Sequence, residues 1–209
     1  MTLQIGRPNG PDFQHPLTRG IWFSIRGDSS LHMGDYSAEL DADAAYDTRS
    51  KIRGLGWVLR EDGATTFREA YADTCGDGHN CAEISAIVCG LARAKAEGVR
   101  RVLIRTDSGF ATHVLTGQIR VGSTNTIRVK DALMGQLEAF EAVAARWTPA
   151  RELKQADKLS RMLMRRMSGE PVAHGSTCYF TESRGMANRR SCRPLPDILA
   201  RLSSTSSVP

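Results

Sequence analysis

Residues 80–108 have the sequence NCAEISAIVCGLARAKAEGVRRVLIRTDS. Between positions 81 and 97 the apolar residues recur with helical spacing, and Gly98 is typical of the position that follows a helix. The run RRVLIRTD then predicts a buried strand that ends at Asp107. Glu83 lies in the first turn of the predicted helix, so this unit presents one carboxylate at a helix start and another at a strand end.

The residues upstream of this unit predict three strands in succession. The segment YSAELDADAAY alternates small and apolar residues with polar ones, and GLGWVLRE and ATTFREAYAD are separated by a turn at residues 61–63. Three antiparallel strands joined by short connections follow from this order.

The residues downstream predict a short helix over 108–115 and a polar connection, GQIRVGSTNTIRVK. A second amphipathic helix, DALMGQLEAFEAVAA, is followed by a short strand, ARWTP, and a closing helix, LKQADKLSRMLMRRM. The whole predicts an α/β fold with a five-stranded mixed sheet, three antiparallel strands and then two parallel strands, flanked by helices.

Composition divides the 209 residues into three parts. Residues 1–34 are predicted to be a mostly irregular extension, in which only GIWFSI is apolar enough to add a short strand. Residues 35–168 are expected to form the folded domain. Residues 169–209 are rich in Ser, Arg and Pro, and we expect them to be largely disordered.

The net charge and the cysteine content indicate which partners and which cellular compartment suit this protein. A net charge of +5 and a pI near 9.1 suit a polyanionic partner such as nucleic acid, and they suit a merely basic soluble protein equally well. Five cysteines without a CxxC pair, no apolar run of membrane length and no signal segment favour a cytoplasmic protein with free thiols. We expect no membrane partner, no zinc site and a monomer.

Four carboxylates each lie in a separate short sequence motif within the predicted elements: Asp43, Glu83, Asp107 and Asp157. They lie in a strand, at a helix start, at a strand end and at a helix start, so only the fold could unite them. Each has an ordinary explanation, because acids stabilise the first turn of a helix and a TDS sequence often caps one. Their joint occurrence in this order indicates a shared site for hard divalent cations, which bind carboxylate oxygen.

Residues 36–167 resemble ribonuclease H of type 1. The resemblance rests on LDADAAYD and GLGWVLRE, on the whole of residues 80–108, and on WTPARELKQADKLSR. It implies a ribonuclease H-like fold and an endonuclease that hydrolyses the RNA strand of RNA–DNA hybrids to 5′-phosphate and 3′-hydroxyl ends. The implied cofactor is a pair of Mg²⁺ ions, with Mn²⁺ as an alternative.

By position, the resemblance makes Asp43, Glu83, Asp107 and Asp157 the metal ligands and catalytic residues. Asp41 is the rival for the first role, because strand alternation puts it on the same face as Asp43. Asp43-Ala44-Ala45 fits the family pattern better, so we favour Asp43. The implied contacts to nucleic acid are Asn80 and Ser108, with the basic residues Arg120, Arg128 and Lys130 as further candidates.

The sequence departs from the family pattern at several positions. No His precedes Asp157, since the loop reads PAREL, and Arg151 or Glu152 is left to take its place. The family often has Asn at the position of Leu153, Gln at that of Gly109 and Thr or Asn at that of His79. Two rival functions therefore stay open: a nucleic-acid-binding module without turnover, which the complete set of acids disfavours, and a DNA nuclease of the same fold.

Overall fold

The computed structural model describes residues 22–28, 30–74, 78–169 and 177–183. In these ranges the chain forms seven strands: β1 (Trp22–Arg26), β2 (Ala38–Asp47), β3 (Ile52–Glu61), β4 (Ala64–Thr74), β5 (Arg101–Thr106), β6 (Ala142–Trp147) and β7 (Thr177–Ser183). It also forms four α-helices: α1 (His79–Ala96), α2 (Gly109–Leu115), α3 (Thr124–Leu137) and α4 (Lys154–Ser168). None of the helices in these ranges is long and apolar enough to cross a membrane.

All seven strands belong to one mixed sheet in the order β1-β6-β5-β2-β3-β4-β7. The neighbouring strands β6, β5 and β2 are parallel, and every other neighbouring pair is antiparallel. The β2–β3–β4 meander and the helix-linked strands β5 and β6 thus lie as the sequence predicts. Because β2 and β5 run side by side in the same direction, their carboxyl ends point to one end of the sheet.

Helices cover both faces of the sheet. Residues of α1 and α3 share the main hydrophobic core with β2, β5 and β6, and α4 packs on the other face against β3 and β4. Gly54 and Gly56 on β3 allow the close approach of α4, since a Cβ atom at either position would overlap a carbonyl oxygen of the helix, that of Ser160 or Ala156. The absence of a side chain at Gly54 and at Gly56 therefore determines how closely α4, which carries Asp157, packs on the sheet.

The expected five-stranded sheet is wrong, because β1 and β7 extend it at both edges to seven strands. β1 pairs with β6 and β7 pairs with β4, and each satisfies backbone groups that a sheet ending at those strands would leave open. β7 is also held by a buried carboxylate: the Tyr179 hydroxyl and the Thr181 hydroxyl donate to Glu69 over 2.6 and 2.9 Å. These pairings join segments that are distant in the chain, so local patterns suggested at most a short strand at GIWFSI and did not show where either strand pairs.

The boundary of the second long helix also differs from the prediction. α3 begins at Thr124, inside the segment expected to be a polar connection, because the Ser123 hydroxyl accepts from the Thr126 backbone N–H and caps the helix. α3 ends at Leu137, and residues 142–145, predicted as helix, belong to β6. Pairing with β5 in the buried part of the sheet outweighs the helical preference of these alanines.

Both terminal segments contain one described strand. β1 lies within residues 1–34, where GIWFSI had suggested an added strand, and β7 lies within residues 169–209. Most of the remaining residues of the two segments lie outside the described ranges, so the division into three parts stays a prediction. Among the described cysteines, Cys81, Cys89 and Cys178 form no disulfide bond, whereas Cys75 and Cys192 lie outside the described residues.

Candidate metal centre

Three of the four predicted carboxylates meet at one end of the sheet. Asp43 lies on β2, Asp107 directly follows β5, and Glu83 lies in the first turns of α1. One oxygen of each lies within 4.8 Å of an oxygen of the other two. The parallel register of β2 and β5, in which Asp41 is level with Arg105, brings Asp43 level with Asp107.

Two local interactions fix the ends of these elements. The backbone N–H of Ala44 on β2 favours the charged form of Glu83 and partly opposes the rise in the pKa of this acid, so the start of α1 interacts electrostatically with β2. The indole Nε1–H of Trp147 donates to the backbone oxygen of Asp107 over 2.9 Å, which holds the chain where it leaves β5. Sequence reasoning missed this role, because a Trp in a predicted strand is expected to be ordinary core; its place in the WTP phrase, on the strand next to Asp107, was the available signal.

Asp157 borders this group without joining it. Its Oδ1 accepts from the Arg161 guanidinium over 2.6 Å, one turn further along α4. The side chain is about one third exposed, and its negative charge helps to raise the pKa of both Asp43 and Asp107. Asp157 therefore lies near enough to act on the cluster electrostatically, while its ion pair with Arg161 engages one of its two carboxylate oxygens.

The structure separates Asp41 from Asp43. Asp41 is fully buried and forms ion pairs with Arg60 and Arg105 over 2.5 and 3.3 Å. Asp43, two residues further on the same face, belongs to the carboxylate group instead. The two acids that strand alternation could not distinguish are thus distinguished by their neighbours, arginines for one and carboxylates for the other.

Burial and mutual repulsion raise the pKa values of the clustered acids. Burial, followed by repulsion from Asp107 and Asp157, raises the pKa of Asp43 to about 7, although the Ser160 hydroxyl donates to its Oδ2 over 2.7 Å. Burial, and then the charges of Asp43 and Asp107, raise the pKa of Glu83 well above its ordinary value. The pKa of Asp107 is also raised, first by burial. A bound cation would remove the repulsion that these acids share.

The donor set fits a hard divalent cation. It consists of carboxylate oxygens alone, the ligands that Mg²⁺ and Mn²⁺ prefer. Glu83 Oε2 is buried and has no hydrogen-bond partner among the described residues, while its Oε1 lies 3.1 Å from Nε2 of the exposed His79. A buried carboxylate oxygen without a donor is costly unless something positive approaches it, and a cation at the cluster would do so.

The predicted nucleic-acid contacts lie in two places. Asn80 is exposed on α1, one turn before Glu83, and Ser108 follows Asp107 and caps α2 by accepting from the Ala111 N–H over 3.1 Å. These two border the carboxylates. The three basic candidates lie apart from the cluster in sequence and on other elements, with Arg120 exposed between α2 and α3 and the half-buried Arg128 and Lys130 on α3.

A protein-family model described as reverse transcriptase-like matches residues 41–163, which are 123 of the 209 residues. The chain belongs to the reverse transcriptase-like family. The matched range begins at Asp41 and contains all four predicted carboxylates, so the folded domain of this family member is ribonuclease H-like, as the sequence had indicated. No curated protein matches the chain.

Solved structures share the fold of this family member. The N-terminal RNase H domain of Rv2228c from Mycobacterium tuberculosis, fused to maltose-binding protein, is 18% identical with a TM-score of 0.59, over 64% of this chain and 97% of that one. RNase H1 from the halophilic archaeon Halobacterium salinarum is 24% identical with a TM-score of 0.56, over 62% and 98%. LC11-RNase H1, solved in complex with an RNA/DNA hybrid, is 15% identical with a TM-score of 0.58, over 63% and 99%. At these identities the likeness establishes the fold.

Proposed function

We propose that this chain is a divalent-metal-dependent endonuclease that hydrolyses the RNA strand of RNA–DNA hybrids. The observation that carries the proposal is the convergence of Asp43, Glu83 and Asp107 within 4.8 Å in a ribonuclease H-like domain. The complete set of acids favours an enzyme over a binding module, because buried like charges are costly and a domain that only binds would not need them. One structural neighbour, LC11-RNase H1, binds an RNA/DNA hybrid, which supports the choice of substrate.

Asp43, Glu83, Asp107 and Asp157 are the proposed ligands of two Mg²⁺ ions, which Mn²⁺ could replace. When bound, such ions lower the pKa of water and neutralise charge that develops on a phosphodiester. Asp43 and Glu83 supply the buried part of the site, Asp107 is partly exposed, and Asp157, about one third exposed and paired with Arg161, supplies the outer edge. The products would carry 5′-phosphate and 3′-hydroxyl ends.

The remaining residues of the site hold and orient these acids. Ser160 donates to Asp43 and limits its rotation, and Trp147 fixes the backbone at Asp107. Asn80 and Ser108 border the cluster and are proposed to contact the backbone of the RNA strand, where the 2′-hydroxyl distinguishes RNA from DNA. Contacts of this kind position a duplex without selecting its sequence, so cleavage should tolerate many sequences.

Cleavage assays with the full chain test the proposal. RNA–DNA hybrid, double-stranded RNA and duplex DNA are each incubated with Mg²⁺, and we expect cleavage of the hybrid alone. Asp107→Asn should lower the rate by more than about 100-fold, because even partners outside the ligand set often cost 10- to 100-fold. Asp131→Asn, an exposed acid on α3, makes the same change of charge and should leave the rate unaltered.

Three results would count against the proposal. Full activity of Asp107→Asn, with a circular dichroism spectrum like that of the unaltered protein, would show that the carboxylate cluster is not the catalytic site. Cleavage of duplex DNA in preference to the hybrid would favour the DNA-nuclease alternative. Tight hybrid binding with no cleavage under Mg²⁺ or Mn²⁺ would favour the binding module.

A further inference from the structure

Helix α4 carries most of the net charge of the protein. Its 15 residues contain five basic side chains and a single acid, Asp157, which gives a net charge of +4 against +5 for the whole chain. The basic residues are Lys154, Lys158, Arg161, Arg165 and Arg166. The other 194 residues are therefore almost neutral, and the basic character noticed in the composition belongs chiefly to one helix.

Four of these cations form a stripe along the outside of α4, which we call the α4 basic face: Lys154, Lys158, Arg161 and Arg165. Their spacing of four, three and four residues places them on one side of the helix, opposite the buried residues Ala156, Leu159, Ser160, Leu163 and Met167. All four are exposed, and the stripe is about 16 Å long at about 1.5 Å per residue. Among the described residues, Arg161 pairs with Asp157, and the other three have no acidic partner.

The stability of the helix does not explain this stripe. Arg165 lies in the last turns of α4, where the helix dipole favours a cation, but Lys154 and Lys158 lie in the first two turns, where it disfavours one. Lys154 and Lys158 are also four residues apart, as are Arg161 and Arg165, and like charges at this spacing repel each other. A bound polyanion would relieve both costs.

We infer that the α4 basic face binds the phosphate backbone of the RNA–DNA hybrid and leads it to the carboxylate cluster. The face begins at the cluster, because Asp157 lies between Lys154 and Lys158 and pairs with Arg161. A length of about 16 Å matches about five nucleotide steps at about 3.4 Å per step along a strand. This surface is separate from the predicted contacts on α3 and rests on the proposed function, which supplies the hybrid as ligand.

The test compares two triple variants in an Asp107→Asn background, so that the hybrid is not consumed. Lys154→Gln with Lys158→Gln and Arg165→Gln neutralises the α4 basic face and leaves Arg161 in place. The control changes Lys95, Arg100 and Arg101 to Gln. These exposed residues lie at the end of α1 and at the start of β5, and the length of β5, about 20 Å, separates Arg101 from Asp107. Asp107→Asn raises the net charge from +5 to +6, and both triples lower it from there to +3, so the general attraction for a polyanion is matched.

The dissociation constant for a labelled hybrid is measured between 50 and 200 mM NaCl. Each lost phosphate contact lowers the slope of log affinity against log salt by about 0.9, so three lost contacts lower it by about 2.7. Over this fourfold range of salt, binding by the α4 triple should therefore weaken about 40-fold less than binding by its parent. The control triple should keep the parent slope, and thermal melting should show that both triples are folded.

An equal fall of slope in both triples, or no fall in the α4 triple, would overturn the inference. A second experiment measures binding to vesicles that contain phosphatidylserine. Vesicle binding that depends on the α4 basic face, together with an unchanged salt slope for the hybrid, would assign this face to a membrane surface and would also overturn the inference. Failure of the proposed function can be distinguished from failure of this inference. A chain that does not cleave the hybrid with Mg²⁺ can still show the α4-dependent salt slope, and a chain that cleaves the hybrid can lack that slope.

Discussion

Replacement of Asp43 by Asn should make the metal-free protein more stable and prevent its stabilisation by metal. Asp43 is buried, and in the folded protein its pKa is raised to about 7, mainly by burial and then by the charges of Asp107 and Asp157. Asn has nearly the same shape, its amide oxygen can accept from the Ser160 hydroxyl, and it carries no charge. The substitution therefore removes the electrostatic cost and keeps most of the packing.

The magnitude follows from linkage between protonation and folding. Because the pKa of Asp43 is higher in the folded state than its ordinary value of 3.8, the folded state binds the proton more tightly, and stability is lost as the pH rises from about 4 through about 7. At about 1.4 kcal/mol per pH unit, the loss reaches about 2 kcal/mol at pH 5 and about 4 kcal/mol at pH 8. The advantage of Asp43→Asn should thus be about 2–3 kcal/mol larger at pH 8 than at pH 5, whatever small constant offset the substitution adds.

Urea unfolding in EDTA at pH 5 and pH 8 measures this difference, and repetition at pH 8 with Mg²⁺ measures the metal effect. Mg²⁺ should raise the free energy of unfolding of the unaltered protein and of Asp41→Asn, since Asp41 is held by Arg60 and Arg105 outside the cluster. It should not raise that of Asp43→Asn. An advantage that is equal at both pH values, or an equal Mg²⁺ effect in Asp43→Asn and the unaltered protein, would refute the reasoning.

Two further predictions concern the support of the site. Gly56→Ala places a methyl group against the backbone oxygen of Ala156, so it should displace α4. The free energy of unfolding should fall by about 2–4 kcal/mol, and the cleavage rate should fall with it. In the control Gly135→Ala, on α3, the added methyl group meets no atom within 4 Å, so the free energy of unfolding should be unchanged or up to about 1 kcal/mol higher. Tyr179→Phe removes a hydrogen bond to buried Glu69 and should cost about 1–3 kcal/mol in chemical unfolding; no measurable loss would show that β7 is not anchored there.

The candidate acids were predictable because each occupies a position that local pattern identifies. Glu83 follows the start of a strongly periodic helix, and Asp107 ends a continuous apolar run, so both elements and their ends are visible in the letters alone. The structure brings Asp43, Glu83 and Asp107 together. It leaves Asp157 on the border of the group, in an ion pair with Arg161 that the helical spacing of four residues allows.

The pairing of the two edge strands, the existence of β7 and the true start of α3 were not predictable by the same means. β7 is stabilised by Glu69, more than 100 residues away in the chain, and β1 pairs with β6 across a similar distance. α3 depends on the cap at Ser123, which lies in a polar segment that also suits a loop. Local propensity is weak in such segments, and contacts between distant residues decide their structure.

The sequence alone determines which chemistry the site can carry: the acids, the order of the elements that hold them, and the strongly basic last helix are written in its residues. The sequence favoured Asp43 over Asp41 through the family pattern alone, and only the tertiary structure showed how the surroundings of the two acids differ, because both face the same side of β2. Arg60 and Arg105 neutralise one, while Glu83 and Asp107 surround the other with like charge. Charge environment is a property of distant segments packed together, and no local pattern contains it.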